Sequence, residues 1–294
     1  MARFAQCQPV IPLLRSIPHK TTIEQALARL QAEAENYPQR HRQLAAIRYY
    51  LQYMLWDCQE NWRTDHNGIT NYKTLLDQIE HWRIGLNEKV CLVTFNYDTM
   101  LEDALSEFLK IEFGSVESYV LGDHYLLLKL HGSVYWGREV DGITSPQSYN
   151  QNRLIDEAAS LNVSARYRKI IDPRFVLSGE GRLVFPALAI PVENKSRFEC
   201  PDEHVQVLSN VLPQVNTILT IGWRATESHF LALLRKCQPG AALMVVCNGS
   251  SEAGAVVDTL LNTGLTPRQG AVGEGGFSYV VTRGNVSDFL RKQI

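Results

Sequence analysis

Apolar residues recur at helical spacing from about residue 21 to residue 86, and near residue 90 the pattern changes to short continuous apolar runs. In "TTIEQALARLQAEA", Thr21 and Glu24 match a capping box, and Ile23, Ala26, Leu27 and Leu30 share one face. Pro38 opens a longer predicted helix. Its apolar face reads Leu44, Ile47, Leu51, Leu55, Cys58 and Trp62 before "DHNG" breaks it. "TNYKTLLDQIEHW" repeats the pattern with Tyr72, Leu75, Leu76, Ile79 and Trp82, whose aromatic members read as core.

After residue 90, strands are predicted at 90–95, 125–130, 217–221 and 243–247, with a weaker fifth at 279–282. Helices are predicted between them at 99–110, 227–236 and 252–262. Strands that are apolar throughout are covered on both faces, so the pattern predicts an α/β fold with a Rossmann-like parallel sheet. The expected organisation is a helical subdomain at 1–88 and a core at 89–294, with an irregular lid at 138–200 where turn formers and prolines collect.

Ligands of open α/β sheets bind beyond the carboxyl ends of the strands, which makes the residues after each apolar run informative. They are Asn96-Tyr97-Asp98, His131-Gly132-Ser133, Gly222-Trp223-Arg224 and Asn248-Gly249-Ser250. Parallel strands would bring all four groups to one crevice. Each also has a simpler reading. Asn96 and Asp98 can cap the next helix, where Thr99 and Glu102 match a second capping box; His131 can be a satisfied strand-end histidine, and Asn248-Gly249 is a common turn pair. Caps and turns need no histidine, and the joint occurrence at four strand ends favours a functional crevice.

Composition narrows the classes. The 29 basic and 31 acidic residues nearly cancel, so no overall field draws the chain to nucleic acid or an anionic membrane, and "RYRK" at 166–169 reads as a solvated face. No apolar run approaches the roughly 20 residues that span a bilayer, and no signal pattern opens the chain, so a soluble cytoplasmic protein is expected. The six cysteines, at 7, 58, 91, 200, 237 and 247, lack C-x-x-C spacing, so they read as reduced core residues and no metal is expected. His124 and His131 point to opposite faces of one predicted strand and cannot share an ion. There is no G-x-S-x-G elbow, and "GAVGEGGF" matches neither phosphate-loop spacing.

In order and spacing, "TFNYD", "KLHGSVYW" and "TIGWRATESHF" resemble the sirtuin-like (SIR2-like) family, especially bacterial members that degrade NAD in antiphage defence. The likeness covers roughly residues 70–250. It implies catalytic places for Asn96, Asp98 and His131, and NAD-contacting places for Thr94, Phe95, Tyr97, Gly132, Gly222, Trp223 and Asn248. "FPALAIPVENK" resembles the family's proline-containing loop ahead of a lysine, here Lys195. The chain departs from the family in two respects. Deacylating members carry a four-cysteine zinc module and a Gln in place of Phe95, which disfavours deacylation here. The family's first strand and its Gly-Ala-Gly-x-Ser loop have no counterpart before Thr21, where "FAQCQPVIPLL" has two prolines and no glycine.

The resemblance implies cleavage of the nicotinamide–ribose bond of NAD. The leaving group is a neutral pyridine, so the protein has to hold the substrate, stabilise an oxocarbenium-like transition state and direct water. Asn96 is expected to bind the ribose or the attacking water, Asp98 to orient the amide or stabilise positive charge, and His131 to act as base. An NADase must stay silent until needed, which implies activation within a homo- or hetero-oligomer containing a sensor protein. The helices of 21–86, with Leu44, Ile47, Tyr50, Leu51, Met54 and Leu55, are the expected contact surface. The alternatives are a module that binds NAD or ADP-ribose without turnover and a structural subunit of a defence complex.

Overall fold

The computed structural model describes residues 5–8, 10–15, 22–192 and 198–292. Four helices come first: α1 (Val10–Arg15), α2 (Ile23–Glu33), α3 (Pro38–His66) and α4 (Asn71–Leu86). They are followed by β1 (Val90–Thr94), α5 (Met100–Leu109), β2 (Tyr125–Lys129), β3 (Gly132–Asp141), α6 (Gln151–Asp156), β4 (Asn162–Lys169) and β5 (Val184–Leu188). The chain continues through α7 (Asp202–Val211), β6 (Thr217–Ile221), α8 (Ser228–Leu234), β7 (Ala242–Val246), α9 (Ser250–Asn262), β8 (Gln269–Gly273), α10 (Gly276–Thr282) and α11 (Asn285–Arg291). The capping box of α2 sits one residue later than expected, between Thr22 and Gln25, and Thr21 lies outside the described residues.

The fold is mixed α/β, and its parallel strands fall into two sheets. β1 pairs with β2, β7 lies between β6 and β8, and among the described residues no ladder joins the two sheets. They nevertheless share one apolar core with α4, α5 and α7 to α11. β7, flanked on both sides, is buried throughout, whereas every residue of β1 keeps partial exposure.

Two expectations are corrected. Residues 279–282, expected to be a strand, belong to α10, and the last strand is β8. β-Branched residues drew the expectation to "YVVT", while "QGAVG" pairs with β7 because its glycine permits close approach. A Cβ on Gly273 would lie 2.9 Å from Val280 and 3.1 Å from Val246. The segment 138–200, expected to be irregular, contributes to an antiparallel sheet of order β4-β3-β5. Its outer strands were hidden by their composition: β4 ("NVSARYRK") is half exposed and polar, and β5 holds Pro186, which an edge strand tolerates.

This sheet packs with α2, the first half of α3 and α6 into a second core that includes Leu27, Ile47, Tyr49, Val140, Ile155 and Phe185. The helices before residue 88 are therefore divided, with α4 in the first core and α2 and α3 in the second. In the second half of α3 the expected apolar face does not turn inward. Cys58 is exposed and Trp62 is 38% exposed, while Gln52 and Gln59 are buried. Among the described residues no helix is long and apolar enough to cross a membrane.

Candidate functional site

The β1–α5 junction is held almost entirely by hydrogen bonds. The Thr94 hydroxyl accepts the Asn96 N–H at 3.1 Å, and Asp98 Oδ1 accepts the Met100 N–H at 3.0 Å. Lys129, at the end of β2, donates its ammonium to the Asp98 carbonyl and pairs with Glu102 at 3.0 Å. The capping box expected at Thr99 and Glu102 does not form. The Thr99 N–H donates to Gln59 Oε1 at 2.6 Å, its hydroxyl accepts from Arg63 at 2.8 Å, and Glu102 is occupied by Lys129 and the Tyr119 hydroxyl. Asp98 therefore makes the turn while α3 and β2 hold it from either side.

Asn96 is exposed and its amide donates to the Tyr72 hydroxyl of α4 at 3.3 Å. Burial, reinforced by the Asp98 charge, pushes the Tyr72 phenol up to about 12. The Tyr97 hydroxyl donates to the Ala189 carbonyl at 2.8 Å, and burial, with Glu227 adding to it, raises that phenol as well.

Aromatic rings connect the ends of three strands. Phe95 lies 4.8 Å from the His131 ring, 6.0 Å from Trp223 in a stacked arrangement and 5.4 Å from Phe230. Tyr97 stacks on the other side of the group, 6.2 Å from His131. His131 is only 5% exposed, so it forms the floor of the group. Gly132 beside it is obligatory: its φ is +84°, and a Cβ would stand 1.9 Å from the Ala187 carbonyl oxygen. Gly222 (φ +61°) turns the chain at the end of β6 while its N–H donates to the Val246 carbonyl at 2.9 Å.

Asn248 is exposed beyond β7 and meets the segment after β8. Its carbonyl accepts the Gly275 N–H at 3.2 Å, and a Cβ on Gly276 would come within 2.4 Å of its side-chain oxygen. Phe277 lies 5.3 Å from Tyr72, so α10 reaches the partner of Asn96. The structure thus brings Phe95, Tyr97, His131 and Trp223 into one group and places Asn96, Tyr72, Phe277 and Asn248 along an adjoining path. Lys195 lies outside the described residues. Among the described residues no cluster of three or more His, Cys, Asp or Glu side chains is arranged to hold a metal ion.

Of two sizeable cavities, of about 620 and 1070 Å³, neither is lined by Asn96, Asp98, His131, Gly222 or Asn248, although the smaller is lined by Arg63, Thr99 and Glu102 behind the junction. The larger one touches the group through a shared wall. Ala189 lines it while donating its N–H to the His131 carbonyl at 3.0 Å and accepting from Tyr97.

Hydrophobic periodicity missed one side of the site. Gln52, Trp56, Gln59 and Arg63 form a stripe on α3 at helical spacing, of which Gln52 and Trp56 engage β3, while Gln59 and Arg63 engage the start of α5. Gln52 donates to the Val134 carbonyl at 3.0 Å, Trp56 to the Tyr135 hydroxyl at 3.1 Å, and Arg63 to Asp103 at 2.6 Å. The usable signal was a second periodicity on a face about 100° around the helix from the expected apolar one, each of its members directly following an apolar-face residue. In comparison with known proteins, no family model matches the chain and no curated protein matches it.

Proposed function

We infer that the chain is a SIR2-like NAD hydrolase with a Rossmann-like core, in which the group around Phe95 receives the nicotinamide riboside end of NAD. One observation supports this reading: Phe95, directly before the Asn96–Asp98 junction, meets His131 and Trp223 beyond the carboxyl ends of parallel strands, where α/β proteins bind ligands. Asn96, exposed and oriented by Tyr72, binds a ribose hydroxyl or the attacking water. Asp98, fixed by the Met100 N–H and by Lys129, presents negative charge to the developing cation. His131 takes the proton from ribose or water after Phe95 moves aside to admit the substrate. The protein then acts in the cytoplasm as a triggered effector of bacterial antiphage defence, in a homo- or hetero-oligomer with a sensor, and without a metal.

The depth of His131 favours a second reading, in which the chain binds NAD or ADP-ribose without turnover. Incubation of purified protein with NAD, following nicotinamide release, separates the two. Release that disappears in Asn96→Ala supports the hydrolase. Calorimetric binding of ADP-ribose without release supports the second reading, and absence of both refutes each.

A further inference from the structure

We propose that the cavity bounded by α2, α3, β3, β4 and α7 is a binding site for a small organic anion, a phosphate or carboxylate, gripped by Arg48 and Arg138. This inference is independent of the NAD reading, since it concerns neither the residues nor the strand ends assigned there.

The argument starts from charge. Arg48 on α3 lines this cavity of about 1070 Å³ and has no hydrogen-bonded partner at its Nε among the described residues. Its Nε is sealed from solvent without a partner, and its guanidinium carbon lies 5.9 Å from the Phe185 ring centroid. Native proteins leave few buried polar atoms unpaired, and Arg48 keeps partial exposure on the side of the cavity, where a partner can reach it. Arg138 lines the same cavity. Its Nε and Nη2 are satisfied by the Ser164 and Val163 carbonyls at 2.8 and 3.3 Å, while its Nη1 lies 3.6 Å from Glu199. Glu199 also accepts the Tyr167 hydroxyl at 3.2 Å. Glu35 and Asp202 also line the cavity, but Glu199, the carboxylate nearest the two guanidinium groups, is already shared between Tyr167 and Arg138.

Burial lowers the pKa of Arg48 and Arg138 lowers it further, against the opposing effect of Glu199. An arginine does not escape such a site by losing its proton, so Arg48, which has no hydrogen-bonded partner among the described residues, is open to an anion bound in the cavity. The guanidinium fork matches the oxygen pair of a phosphate or carboxylate. Phe198, Ile190 and Tyr167 add apolar wall, and the volume greatly exceeds that of a bare ion, which calls for an anion carried on an organic group.

The test uses phenyl phosphate and benzoate as probes, with benzyl alcohol as the uncharged control, in calorimetry and thermal denaturation of the full chain. Saturable binding of at least one anion, with a raised Tm and no effect of benzyl alcohol, is expected. Arg48→Met should weaken that binding at least about tenfold. Tighter binding of phenyl phosphate assigns the site to phosphates, and tighter binding of benzoate assigns it to carboxylates. If Arg48→Met does not fold, Arg48→Lys, which keeps the charge and loses the fork, is held to the same tenfold loss. Failure of both anions to bind at millimolar concentration, equal binding of benzyl alcohol, or affinity unchanged by the Arg48 substitution overturns the proposal.

Discussion

Two sets of charges show how differently the halves of this molecule are built. In the parallel α/β half, Lys129 and Glu102 pair at 3.0 Å with side chains only 1% and 6% exposed. In the antiparallel half, Glu139 pairs with Arg166 at 2.7 Å and Arg168 at 2.6 Å, and those arginines are 54% and 31% exposed. The first sheet type is covered on both faces, so a charge on its strands must be paired internally; the second leaves a face open, and its charges lie across that face. The buried pair also clamps a functional junction, because the Lys129 ammonium reaches the Asp98 carbonyl. Burial pushes the Glu102 carboxyl up, and the Lys129 ammonium opposes that push. "RYRK", read from sequence as a solvated face, is a strand with partners on both sides: Arg166 and Arg168 hold Glu139, Tyr167 donates to Glu199, and Lys169 donates to the Phe113 carbonyl.

The contrast is broken most directly at Lys129. Lys129→Met leaves Glu102 buried and unpaired, and urea denaturation should show a loss of about 3–5 kcal/mol, while the double variant Lys129→Met/Glu102→Leu recovers most of it. If the single variant were as stable as the parent, the pair would not be the buried clamp described. Gly132→Ala, at the seam between β2 and β3, should destabilise by about 3 kcal/mol, because positive φ and the Ala187 oxygen act together. A loss below about 0.5 kcal/mol would show that the seam yields.

Asn96→Ala sharpens the comparison on the functional side. On the proposed reading it lowers NAD cleavage about a hundredfold, equivalent to about 2.7 kcal/mol, with the melting curve unchanged because Asn96 is exposed. Full turnover by the folded variant would remove the junction from the chemistry. The smallest effect belongs to the open sheet. Burial alone would raise Glu139, but hydrogen bonds from Arg166 and Arg168 hold its pKa below the usual 4.5. On acidification the unfolded chain takes up this proton first, so the stabilisation is intact above about pH 4.5 and is lost as pH falls through the lower folded value. With its arginines partly exposed, the loss should stay within about 1 kcal/mol, measured as the difference between parent and Glu139→Gln across that range.

The sequence by itself determined the helices of residues 23–86, four parallel strands at nearly their observed bounds, and the polar groups that follow β1, β2, β6 and β7. Those features are written in local periodicity, since a doubly covered strand must be apolar throughout and an amphipathic helix must repeat every three or four residues. Tertiary structure alone decided the rest. β4 became a strand through pairing with β3, although half of its residues face solvent and its composition is polar. β8 was chosen over "YVVT" because Gly273 fits against Val246 and Val280. Gln52 and Gln59, polar and apparently destined for water, were buried because backbone groups of Val134 and Thr99 needed partners that only the docked α3 supplies. Periodicity records which face of an element is apolar; which polar groups are left to satisfy one another depends on neighbours distant in sequence, and that is settled only when the two cores close on each other.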